Sequence, residues 1–149
     1  MLSAEEILNF NEESLQAQID KIRLRLKEIQ TVFNTSCPIY IVINKVDAIR
    51  GFGQFFKYLS EKEKQLTFGV TLDPLASDSY KRIDDLLSNI DSISMQLHKN
   101  IFKSVSYNNH NDEDVDLALG FSSHFEQFSD TLKNYLQKLL VLSNYDIDL

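Results

Sequence analysis

The chain has 149 residues, 43% hydrophobic and 25% charged, which is the range of one globular domain able to bury a core. Its net charge of -7 argues against a nucleic-acid backbone or an anionic lipid surface as partner, and Cys37, its one cysteine, excludes an internal disulfide. No apolar run approaches the roughly 18 residues needed to cross a bilayer, and the N-terminus lacks a signal-peptide pattern, so the chain reads as soluble.

Ser3 and Glu6 have capping-box spacing, and Asn11 offers a second helix start. Leu15, Ile19, Ile22, Leu26, Ile29 and Phe33 then fall at alternating intervals of four and three, one face of a long amphipathic helix whose other face carries Lys21, Arg25 and Glu28. The segment Asn34 to Pro38 ends it, because a residue before proline is pushed out of the helical region. Ile39 to Ile43 is an apolar β-branched run that reads as a buried parallel strand. Gly51-Phe52-Gly53-Gln54-Phe55-Phe56 reads as an aromatic turn opening a short helix, and Ser60 with Glu63 starts another that reaches Leu66. Phe68 to Leu72 has the alternation of an extended segment, broken by Asp73-Pro74.

Ser77 or Asp78 is placed to cap a second long helix with Ile83, Leu87, Ile90, Leu97 and Ile101 on its buried stripe. The polar, acidic stretch Ser106 to Asp116 is expected to be a solvated loop, and Val115 to Phe121 a short strand. Ser123 with Glu126 is expected to cap the last helix, whose apolar face is Phe125, Phe128, Leu132, Leu136 and Leu139. This order is an α/β pattern, and two good strands are too few for a doubly wound sheet, so the chain reads as the later half of one domain spanning 1–149.

The chemistry concentrates in Asn44-Lys45-Val46-Asp47, at the C-terminal end of the expected strand, where open α/β sheets place their ligands. A carboxylate such as Asp47 can accept two parallel hydrogen bonds from guanine N1–H and its exocyclic amine, a donor pair adenine lacks. Asn44 can reach the opposite edge of the base, and the aliphatic stem of Lys45 can lie along its face. The structural alternative makes Asp47 the cap of the next helix. Gly51, Gly53, Gly69 and Gly120 do not form a phosphate cradle, and no D-x-x-G segment precedes Asn44. With no phosphate loop and no catalytic constellation, the expectation leans against an enzyme, and the chain alone is expected to bind nucleotide weakly or not at all. It is therefore expected to carry no cofactor of its own.

Other groups carry less. Asp112, Asp114 and Asp116 alternate like the first ligands of a calcium loop, but Leu117 stands where that loop needs glycine and Ser123 where it needs a bidentate glutamate. His98, His110 and His124 lack metal-ligand spacing, and a catalytic role for Cys37 has no neighbouring histidine to support it. Phe52, Phe55 and Phe56 could form a partner-docking patch, although aromatics beside a glycine turn are more often core.

The run from Pro38 to Phe56, with Leu59-Ser60-Glu61-Lys62-Glu63 and Phe68-Gly69-Val70-Thr71 behind it, resembles the cytoplasmic domain of the IcmF/TssM family. These are large inner-membrane subunits of bacterial type VI secretion systems and of a related type IVB system. The family pattern of Pro-x-Tyr, Lys-x-Asp, Gly-Phe-x-x-Phe-Phe and Gly-x-Thr occurs here in order, and the opening Met1 to Leu8 resembles the end of the family's preceding strand and the following helix start. The resemblance implies the C-terminal part of a helix-rich, three-layer, P-loop GTPase-like domain, with GTP or ATP bound only by a parent whose phosphate loop lies upstream. It places Gly120 to Ser123 where a loop would complete the base pocket through Ser122 and Ser123, with His124 where a lysine is expected. It also implies the cytoplasmic face of the inner membrane within a larger membrane protein, and partners similar to the DotU/TssL membrane subunit and to baseplate components. An exposed strand edge makes self-association a further expectation. The functional reading is a secretion-system scaffold, the alternative a guanine-nucleotide switch or NTPase module, and a weaker third a free-standing cytosolic protein.

Overall fold

The computed structural model describes residues 1–9, 11–34, 39–57, 59–65, 69–72, 79–105 and 112–141. Strand β1 (Leu2–Ser3) runs straight into helix α1 (Ala4–Leu8), because Ser3 keeps an extended backbone while its Oγ accepts the Glu6 amide at 3.4 Å. Asn11 caps α2 (Glu12–Phe33) in the same way, accepting the Ser14 amide at 2.8 Å, and Asn34 closes that helix in the left-handed conformation. After the crossover comes β2 (Ile43–Asn44), parallel to β1 with Leu2 opposite Ile43 and Ser3 opposite Asn44.

The expected strand over Ile39 to Ile43 is thus corrected. Only Ile43 and Asn44 are assigned to it, because β1 offers two residues to pair with. One further bond, from the Leu2 amide to the Val42 carbonyl at 2.8 Å, extends the contact. Tyr40, Ile41 and Val42 are all exposed, so the run is not buried on both faces.

A 3-10 turn at Val46–Ala48 leads to α3 (Phe52–Lys57) and then α4 (Glu61–Lys64). Both halves of the expected capping box at α4 form: Ser60 Oγ accepts the Glu63 amide and the Glu63 carboxylate accepts the Ser60 amide. Two long helices complete the chain, α5 (Ser79–Val105) and α6 (Asp112–Val141). Residues 69–72 form no strand, while Cys37, Leu66, Phe68, Asp73, Pro74, Ser77, Asp78 and His110 lie outside the described residues.

Helix α6 overturns three expectations together. Residues 112–116 are its first turn and not a loop, Val115 to Phe121 is helical and not a strand, and Ser123 and Glu126 lie inside the helix and do not cap it. Burial explains this: Ala118, Phe121, Phe125, Phe128, Leu132, Leu136 and Leu139 repeat at three- and four-residue intervals and are all buried, so the stripe begins before Ser123. α6 is the element against which α1, α2, α3 and α5 pack. Helix α5 lies antiparallel to it, since contacts descend α5 as they ascend α6: His98 with Ser122 at 3.1 Å, Ser94 with Ser129 at 3.1 Å, and Asp91 with Lys133 at 2.5 Å.

Two further ties position the remaining pieces on α6. The Arg23 guanidinium of α2 donates to the carbonyl of Leu139 at 3.1 Å and to that of Lys138, both in the C-terminal turn of α6. Gly51, at φ +87, lets the turn before α3 approach so closely that a Cβ there would sit 2.3 Å from the Leu117 carbonyl oxygen.

Candidate functional site at the exit of β2

The tetrapeptide from Asn44 to Asp47 begins at the C-terminal end of the parallel pair. Asn44 closes β2, and its Oδ1 is buried without a hydrogen-bond partner among the described residues. Lys45 turns the chain sharply in the left-handed region, at φ 53 and ψ 36, a conformation that costs a lysine roughly 1 kcal/mol or more. Its ammonium lies 2.7 Å from the Glu5 carboxylate in the first turn of α1. The hydrogen bond and the charge of Lys45 hold the Glu5 carboxyl below the ordinary glutamate value, and Glu5 holds the Lys45 ammonium above the ordinary lysine value.

Asp47 sits inside the 3-10 turn and is exposed. The N-cap of that turn is Lys45, without a side-chain hydrogen bond, so Asp47 does not cap it.

The serines assigned to the second half of the pocket lie elsewhere. Ser122 is buried in α6, its Oγ 3.1 Å from His98 Nδ1 on α5 and donating to the Leu119 carbonyl at 3.4 Å. Ser123 is exposed on the same helix. The expectation of a base-pocket loop at Gly120 to Ser123 is therefore corrected: continuous helix replaces it, and Ser122 is turned toward α5.

Of the aromatic group, Phe55 is 1% exposed, with its ring centroid 4.9 Å from that of Phe121. Phe52 and Phe56 are half-buried, stacked on each other at 4.2 Å and edge-on to Phe121. The docking expectation is corrected for Phe55, which is core. Asp114, from the acidic stretch, accepts from Lys57 of α3 at 2.9 Å. Among the described residues no cluster of His, Cys, Asp and Glu is arranged to hold a metal, and no helix is long and apolar enough to cross a membrane.

Sequence reasoning misses Glu5 altogether and, of His124, its setting in the fold. Glu5 has no motif of its own; only the parallel register, which sets Ser3 beside Asn44, brings the residues after the two strands together. His124 has its Nδ1 buried without a partner among the described residues, and it lies seven residues beyond Leu117, so it shares the helix face that meets Gly51. The histidine was visible in the sequence, but its face was not, because Val115 to Phe121 reads as a strand.

The type VI secretion system component TssM1 of Pseudomonas aeruginosa is 24% identical over 148 residues, covering 97% of this chain and 13% of that protein. This chain thus spans about an eighth of the length of that relative. No solved structure matches. The model of the IcmF-related N-terminal domain matches residues 1–148, and the chain belongs to that family.

Proposed function

We propose that this domain is a protein-interaction scaffold of a type VI secretion apparatus, held at the cytoplasmic face of the bacterial inner membrane as part of a larger membrane subunit and contributing to assembly or stability of the machine. The observation that carries this reading is the family match over residues 1–148, together with the relative's description as a type VI secretion system component. The geometry supports it. Lys45 is engaged by Glu5, and Ser122 by His98, so two of the groups suited to grip a base instead tie β2 to α1 and α6 to α5. The partners are membrane and baseplate subunits of the same apparatus, including a DotU/TssL-like protein. In cells producing the complete subunit, Asp47→Asn should leave effector secretion and complex assembly intact. Loss of secretion at unchanged protein level would sink the scaffold reading.

A second reading, a guanine-nucleotide module in a GTPase-like α/β domain, is favoured by one feature: Asn44, with its buried unpartnered Oδ1, and left-handed Lys45 stand at the end of a parallel strand. In it Asn44, Lys45 and Asp47 contact the base, while the phosphates of GTP or ATP are held outside this chain. Titrating the complete protein with fluorescent guanine and adenine nucleotides tests it: selective guanine binding that Asp47→Asn abolishes supports the module, and equal or absent binding removes it.

A further inference from the structure

The apolar seam of α2 outruns the core that it serves. Leu15 and Ile19 are buried, Ile22 and Leu26 are half-buried, and Ile29 and Phe33 are 43% and 66% exposed, although all six fall on one stripe. Their spacing of four, three, four, three and four is the 3.5-residue repeat of a helix-packing seam, which keeps facing one helical neighbour along its length. In the first half of α2 that neighbour is this protein's own core. In the second half the seam continues outward, past the level at which Arg23 reaches the last carbonyls of α6.

The borders of the projecting half carry one sign of charge. Between residues 21 and 33 stand Lys21, Arg23, Arg25 and Lys27 against a single acid, Glu28, in a chain whose net charge is -7. Arg23 and Arg25 flank the seam on its two sides, with Lys27 and Lys21 behind them. Arg23 is committed to α6, and Arg25 meets Glu28 at 2.7 Å in an exposed pair, an interaction weak enough to be exchanged. A second copy of α2 would bring the same four basic residues and the same single acid, so it offers no acidic border to meet them.

We propose that the Ile22 to Phe33 half of α2 is a docking surface for an amphipathic helix of a partner protein, one with apolar residues at heptad spacing and acidic residues flanking them. The apolar seam supplies the contact, and the cationic borders select the sign of the partner.

The test uses the full 149-residue chain and two fluorescent helical peptides of about three heptads, identical in their apolar positions but carrying Glu or Lys at the flanks. The acidic peptide should bind at least about tenfold more tightly than the basic one. Ile29→Asp with Phe33→Asp should abolish binding while the chain stays folded, because the two side chains are 43% and 66% exposed. Lys21→Glu with Arg25→Glu and Lys27→Glu should reverse the preference between the peptides, so a folded charge variant decides the matter even if the aspartates destabilise α2. Failure of the acidic peptide to bind, equal binding of both peptides, or binding unchanged by either set of substitutions overturns the proposal. So does light scattering that shows a dimer dispersed by Ile29→Asp, since the seam then meets a second copy.

Discussion

The Lys45 ammonium lies 2.7 Å from the Glu5 carboxylate, and the pair exists because Ser3 and Asn44 are register partners in the parallel strands. Chains leaving two parallel strands side by side bring together residues 40 positions apart. The contact fixes the exit of β2 against the first turn of α1, where a carboxylate also faces the favourable end of the helix. Asn44, Lys45 and Asp47 therefore sit in a joint between secondary elements, and any partner that takes hold of Lys45 must compete with Glu5.

That competition predicts a pH signature. Glu5 is held below its ordinary value of 4.5, so its stabilising contribution is present above that value and is lost as pH falls through the lowered folded value. Lys45 is raised above 10.5, so its share is present below 10.5 and disappears as pH rises through the folded value. Both groups are exposed, and the effect on global stability is expected to be small. Carboxyl-detected NMR titration should find Glu5 depressed in the wild type and returned toward 4.5 in Lys45→Ala. An unchanged titration in the variant would show that the pair does not persist in solution.

Gly51 and Gly53 provide a contrast within one turn. At Gly51 the backbone is left-handed and a Cβ would meet the Leu117 carbonyl at 2.3 Å, an immovable backbone atom. Gly51→Ala should cost at least about 2 kcal/mol, since it combines strain at positive φ with displacement of the turn from α6. At Gly53 a Cβ would have nothing within 4 Å, and the residue lies in α3, so Gly53→Ala should be neutral or stabilise by up to about 1 kcal/mol. Urea unfolding of the two variants checks the pair. Equal midpoints would mean that the turn does not bear on α6 as described.

Local signals were legible where chemistry and periodicity agree. The Ser60–Glu63 capping box, the Asn11 cap and the stripe from Leu15 onward all follow from the residues themselves. The run Val115-Asp116-Leu117-Ala118-Leu119 was misread because it alternates apolar and polar at its start, and Gly120 suggests a break. Tertiary burial decides otherwise, since Ala118 and Phe121 at three-residue spacing are both wholly buried and a helical glycine costs only about 1 kcal/mol. Ile39 to Val42 has the composition of a core strand, yet pairing depends on what the neighbouring strand offers, which composition does not report. The site was half legible for the same reason: Asn44 to Asp47 are contiguous, whereas the orientation of Ser122 depends on α5.

The aromatic group between α3 and α6 should behave as core. Phe55→Ala removes a fully buried ring packed against Phe121 and should destabilise the domain by about 3–5 kcal/mol. Phe52→Ala and Phe56→Ala each remove a half-buried ring and should cost less. Thermal denaturation of the three variants tests that order, and a near-neutral Phe55→Ala would return this residue to the docking alternative.

Arg23 should be worth more than its position on a mostly exposed helix suggests. Its guanidinium is partly buried and supplies two donors to the carbonyls of Lys138 and Leu139, at the negative end of α6, so hydrogen bonding and the helix dipole act in the same direction. Arg23→Ala should lower stability by roughly 1–2 kcal/mol, the range of a charge-assisted hydrogen bond lost from a part-buried site. Arg23→Lys should recover part of that, because an ammonium keeps the charge but lacks the planar fork that serves two carbonyls together. Hydrogen exchange localises the effect: amide protection in the last turns of α6 should fall in Arg23→Ala while α5 keeps its protection at Ser94 and His98, whereas a uniform loss would mean that Arg23 supports the whole core instead of this helix end.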